Sequence, residues 1–160
     1  MIFWSVQAYR RGLSVIFFQS LYTRRKVNED NAMHSFKEGD VVRAEFPAIQ
    51  GKFNVAPHYL VVLGVAPKGV LTMFTTSLKD RSGGVHQFSS HEMVKAGFAK
   101  PCRFDPGRLA LYLTQDLQHL QATGRTVSKT TVQRMIQAAQ DVKAKFVIFT
   151  PSERYQAKVA

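Results

Sequence analysis

Arg103 and Asp105 stand two places apart in the run "PCRFDPGRL", residues 101–109. Side chains at i and i+2 of a strand share one face, so the guanidinium and the carboxylate stand together while Cys102 and Phe104 turn the other way. The apolar pair then belongs to a core, and the charged pair to a surface or a cleft. On an open surface the pair is an ion bridge of little energetic consequence. In a cleft the same two groups can do chemistry: a guanidinium holds a phosphate through two parallel hydrogen bonds, and a carboxylate can take a proton.

Few other residue types point to a reacting centre. The five histidines, His34, His58, His86, His91 and His119, are scattered along the chain. Cys102 is the single cysteine, so there is no internal disulfide, and no Cys and His cluster has the spacing of a zinc site. No structural metal or cofactor is expected, and a reducing compartment such as the bacterial cytoplasm fits this cysteine usage.

The charge balance is the most unusual feature of the composition. The chain carries 22 Lys and Arg against 11 Asp and Glu, a formal net charge of +11. Such a surplus favours polyanionic partners, nucleic acid first and an anionic membrane surface second. Setting aside the five basic and two acidic residues that precede Met33 leaves 17 against 9, so the basic character belongs to the main domain.

The N-terminal stretch "MIFWSVQAYRRGLSVIFFQSLYTRRK" mixes aromatics with Arg10, Arg11, Arg24 and Arg25. Its uncharged run from Gly12 to Thr23 is too short to span a bilayer, and neither the charge-then-apolar order nor the small-residue ending of a signal peptide is clean here. Residues 1–32 are therefore expected to be an extension, helical or disordered, or sequence translated from an over-early start. A membrane-surface role for them is a weaker alternative. Residues 33–150 form the expected domain and residues 151–160 a tail.

The elements that must position Arg103 and Asp105 are mostly strands. "GDVVRAEFP" (39–47) reads as a first strand opening at a Gly-Asp turn, followed by a long loop over 48–58. "YLVVLGV" (59–65) reads as a strand buried on both sides, "APKG" (66–69) as a turn, and "VLTMFTTS" (70–77) as its hairpin partner. A charged loop (78–84) leads to a short strand candidate (85–89) and a brief helix or turn over 90–98 led by Ser90 as its cap. "KPCRFD" and "RLALYL", separated by Pro-Gly, are two short strands or one bent strand, and residues 116–124 a short helix ended by Gly124. From Ser128, Val132, Met135, Ile136, Ala139 and Val142 recur at helical spacing. The pattern predicts an α+β, mainly β, fold: a small closed or nearly closed barrel with a C-terminal amphipathic helix.

The order of these pieces resembles the MazF/PemK (Kid) family of toxin endoribonucleases. The likeness rests on "GDVVRAEFP", on the loop "AIQGKFNVAP" leading into "HYLVVLG", on the strand ending in "TTSLK", and on "CRFD", over roughly residues 37–148. The resemblance implies an SH3-like barrel of the MazF/PemK/CcdB kind and a homodimer. It also implies cleavage of single-stranded RNA without metal, and inhibition by a cognate acidic antitoxin. Metal-free cleavage needs a base for the 2′-hydroxyl, positive charge at the phosphate and an acid for the leaving 5′-oxygen.

On this chain Asp105 is the candidate base; the resemblance would make Arg103 the proton donor, but a guanidinium is a poor acid at neutral pH, so Arg103 is read as the phosphate-stabilising cation. His58 becomes the candidate acid: it stands where most such chains have Arg followed by Pro, here replaced by His58-Tyr59. Thr75, Thr76 and Ser77 fall where the family uses hydroxyls near the scissile phosphate. Lys52, Lys79, Arg81 and Lys100 would neutralise RNA backbone, and Phe53 would stack a base. The alternative is a non-catalytic barrel that binds nucleic acid or protein, as a CcdB-like gyrase poison or an inactive MazF homologue does. The blander readings are an exposed ion pair at Arg103 and Asp105, and ordinary strand residues at Thr75 and Thr76.

Overall fold

The computed structural model describes residues 35–46, 55–78 and 86–150. The N-terminal extension, the tail, and the candidate RNA contacts Lys52, Phe53, Lys79 and Arg81 lie outside them.

Strand β1 (Asp40–Phe46) starts at a tight turn. The Asp40 carboxylate accepts from the Lys37 amide at 2.9 Å. Gly39 adopts φ +90°, and a β-carbon there would stand 2.8 Å from the Val127 carbonyl oxygen, so the turn demands glycine twice over. Strand β2 (Val55–Ala66) begins inside what the sequence presents as loop, because Val55 pairs back onto Phe46 of β1. Pro67 and Lys68 turn the chain into β3 (Gly69–Ser77).

Helix α1 (Ser90–Ala96) follows, and its cap is Ser89, one residue before the expected Ser90. The Ser89 hydroxyl accepts from the Glu92 amide while the Glu92 carboxylate accepts from the Ser89 amide, a reciprocal capping box that fixes the register. "KPCRFD" and "RLALYL" fuse into one long strand, β4 (Cys102–Leu113).

The expected helix over 116–124 is absent. A 3-10 turn (Thr114–His119) is followed by strand β5 (Gln121–Thr126), which pairs with β1. Gly124 does take a left-handed φ of +72°, but inside an irregularity of that strand pairing rather than at a helix end.

Helix α2 (Lys129–Asp141) is capped by Ser128, whose hydroxyl accepts from the Thr131 amide at 3.1 Å. Val132, Met135, Ile136 and Ala139 are buried as their spacing predicts. Val142 is not: the helix has ended, and the side chain is 52% exposed. Strand β6 (Phe146–Ile148) then runs parallel to β4.

The six strands form one sheet in the order β5-β1-β2-β3-β4-β6, and the edge strands β5 and β6 do not pair with each other. The fold is thus mixed α+β and mainly β, with an open rather than closed sheet. Alternating residues of β1 to β4 feed two cores. Val41, Val61, Leu71, Met73, Phe104 and Leu109 pack with α2 through Val132, Met135 and Ala139. Val42, Leu60, Val62, Val70, Phe74 and Tyr112 face the other way, under Phe36, Leu120 and Phe149. Among the described residues no helix is long and apolar enough to cross a membrane.

Candidate functional site

The face that carries Phe74 also carries most of the candidate polar groups. Directly opposed residues of neighbouring strands share a face, as do residues two apart on one strand. Phe74 pairs with Leu60, so His58 and Thr76, each two residues along, lie on that same side. Thr76 in turn pairs with Arg103 across β3 and β4. The structure therefore brings Thr76, Arg103 and His58 onto neighbouring positions of three adjacent strands.

A wide bulge in β4 builds the rest. Phe104 pairs with Thr75 and Leu109 with Met73, so the four residues Asp105, Pro106, Gly107 and Arg108 face the single Phe74. Pro106 cannot donate to a ladder, which is why pairing breaks here. The Asp105 carboxylate caps the bulge by accepting from the Gly107 amide at 3.1 Å. Its other oxygen meets Nε of Arg108 at 3.4 Å, so the ionic partner of Asp105 is Arg108, not Arg103. The Arg108 guanidinium lies 5.1 Å from the centre of the Phe74 ring. The His58 ring packs against the same Phe74 at 5.0 Å. Because β3 runs between β2 and β4, His58 and Arg108 flank Phe74 from opposite strands.

The backbone beneath Arg103 is held from both sides. Beyond β3, the segment His86–Phe88 bridges it: Phe104 donates to the His86 carbonyl and Phe88 to the Cys102 carbonyl, both at 3.1 Å. That segment is tied to α2, since Arg134 donates to the Gln87 carbonyl and lies over the Phe104 ring. Arg134 is fixed by Glu92 of α1 at 2.9 Å, and Thr131 donates to the same carboxylate at 2.7 Å. Burial pulls the Glu92 carboxyl upward, but the hydrogen bonds from Thr131 and Ser89, with the Arg134 charge, hold it below its ordinary value. Arg103 itself projects outward, exposed, and among the described residues its guanidinium has no carboxylate partner.

Several candidates fall elsewhere. Thr75 points to the opposite face, is 2% exposed, and spends its hydroxyl on the Tyr59 carbonyl at 2.7 Å. Ser77 pairs with Cys102 and shares the side of Thr75, so it too stands away from Arg103. Lys100 is an exposed residue of the link between α1 and β4, and its carbonyl accepts from the Cys102 thiol at 3.1 Å. Cys102 and Phe104 are core residues as the alternation requires, and burial raises the Cys102 thiol pKa, which makes it a poor nucleophile. Among the described residues no three His, Cys, Asp or Glu side chains gather as metal ligands would.

Arg108 is the group that sequence reasoning missed. Strict alternation from Asp105 sends residue 108 to the opposite face; the odd number of extra residues in the bulge resets the phase and brings it back. The Asp-Pro-Gly triplet was the available signal, because it marks an interruption after which strand parity cannot be counted through.

Compared with known proteins, this chain matches no family model and no curated relative.

Proposed function

We propose that this protein is a metal-independent endoribonuclease acting on single-stranded RNA, the toxin half of a toxin-antitoxin pair built on a MazF/PemK-like, SH3-type sheet. The observation that carries the reading is the cross-strand pair Thr76 and Arg103, an outward guanidinium beside a hydroxyl, with His58 on the adjacent strand. A net charge of +11 supports a polyanionic substrate.

In this reading Arg103 grips the non-bridging oxygens of the scissile phosphate and stabilises the added charge of the pentacoordinate state. Thr76 donates a further hydrogen bond; among the described residues its hydroxyl reaches only the Ser77 carbonyl, at 3.5 Å, the outer limit of such a contact. His58 takes the proton of the attacking 2′-hydroxyl in place of Asp105, whose carboxylate is engaged with the Gly107 amide and Arg108. The 2′-oxygen bonds to phosphorus, the bond to the 5′-oxygen breaks, and solvent protonates the departing oxygen. The products are a 2′,3′-cyclic phosphate and a 5′-hydroxyl. A cognate acidic antitoxin and a homodimer are the partners that go with this function.

The test is incubation of the purified full chain with a varied single-stranded RNA pool in EDTA. Cut products whose 5′ ends accept phosphate directly from a polynucleotide kinase support the proposal. An uncut pool contradicts it.

A second reading is a non-catalytic barrel-like module that binds nucleic acid or gyrase. It is favoured by the engagement of Asp105 with its own strand, which gives that carboxylate a structural task. RNA or gyrase bound without strand scission selects it.

A further inference from the structure

Arg108 is an expensive residue to hold over Phe74 if stability were its only purpose. Its side chain is 40% exposed and that of Asp105 is 32% exposed, so their contact is a solvent-screened ion pair that contributes little to folding. What the pair does fix is direction. Asp105 meets Nε from within the same bulge, and the guanidinium carbon lies over the Phe74 ring, itself 3% exposed, at 5.1 Å from its centre. Among the described residues the two terminal nitrogens have no hydrogen-bond partner and are the part of the fork left to meet a ligand, and a planar fork with parallel donors matches a phosphate. Arg103 stands at the other end of the bulge on the same strand, and its guanidinium has no carboxylate partner among the described residues. Two outward arginines separated by an Asp-Pro-Gly turn suit two phosphates of one strand better than a single point charge does.

We propose that Arg108 is a phosphodiester-binding residue of this face and that Asp105 is its positioning residue, acting through Arg108 and not as a base. The inference rests on the single-stranded RNA reading above and extends it: Arg103 serves the scissile phosphate, and Arg108 serves a neighbouring one. His58, on the far flank of Phe74, keeps the proton transfer.

A double-mutant cycle tests this, read by binding and by cleavage in the full chain. Affinity for a labelled single-stranded oligonucleotide is measured by fluorescence anisotropy at two salt concentrations for wild type, Arg108→Ala, Arg108→Lys, Asp105→Asn and Asp105→Asn with Arg108→Ala. The expected result is an affinity loss of about ten- to a hundredfold for Arg108→Ala, the range for a hydrogen-bonded charge. The salt dependence should fall by about one counterion for the same variant. Arg108→Lys should restore the salt dependence but only part of the affinity, because the charge returns without the fork. Asp105→Asn should cost less than Arg108→Ala, and the double variant should bind no worse than Arg108→Ala alone.

In cleavage, Arg108→Ala should act mainly on KM. Arg108→Ala within twofold of wild type overturns the inference, and so do multiplying effects of Asp105→Asn and Arg108→Ala, since Asp105 would then act by itself. A wild type that binds RNA but never cuts it defeats only the cleavage reading, and the binding cycle still decides the role of Arg108. A wild type that neither binds nor cuts overturns both.

Discussion

Thr76 of β3 and Arg103 of β4 are direct cross-strand partners, whereas Thr75, one residue earlier, faces the opposite core and gives its hydroxyl to the Tyr59 carbonyl. Adjacent threonines therefore have different tasks. Thr76→Val should leave stability within about 0.5 kcal/mol of wild type, and should lower the RNA cleavage rate by about tenfold or more as a donor to the phosphate is lost. Thr75→Val should do the reverse, costing about 1 kcal/mol by leaving the Tyr59 carbonyl without its donor. Urea titrations beside single-turnover cleavage separate the two.

Glu92 ties α1 to α2 and, through Arg134, to the segment that braces Arg103. Its carboxyl sits below the ordinary value of 4.5, so the native state favours the charged form. The stability this provides is fully present above that ordinary value and is lost as pH falls through the lower, folded one. Glu92→Gln should cost about 1–3 kcal/mol at pH 7. The gap between the two proteins should narrow below pH 4.5, as read by urea unfolding across pH.

The end of α2 at Asp141 makes two residues of one apparent stripe, Met135 and Val142, behave differently. Met135→Ala removes a fully buried side chain and should cost about 2–5 kcal/mol. Val142→Ala, past the helix and half exposed, should stay within about 0.5 kcal/mol. Thermal melts of Met135→Ala, Val132→Ala and Val142→Ala check the boundary.

Cys102 should be slow to react with a thiol reagent in the native protein and react promptly in denaturant, because its thiol is buried and its pKa raised. Equal rates in the two conditions would show that the Cys102–Phe104 stretch does not pack as described.

The strands and the C-terminal helix were legible because their information is periodic. Leu60 to Leu63 read as doubly buried and are, and Val132, Met135, Ile136 and Ala139 define the inner face of α2. Errors fell where tertiary pairing overrides local preference. Gln121–Thr126 has little strand character of its own and becomes β5 by pairing with β1. Ser89 and Ser90 are chemically equal as caps, and the choice between them is made by Glu92 three residues after Ser89. In the candidate site, the outward turn of Arg103 and the inward turn of Phe104 follow from alternation alone. The partnership of Asp105 with Arg108 does not, because it depends on the bulge.

The most direct measurement compares wild type, Arg103→Ala and His58→Ala on one single-stranded RNA in EDTA, with the product ends identified. The proposed function predicts 2′,3′-cyclic phosphate and 5′-hydroxyl ends from wild type, and a rate reduced about a hundredfold or more in each variant. RNA left whole by wild type, or cut equally well by Arg103→Ala, would contradict it.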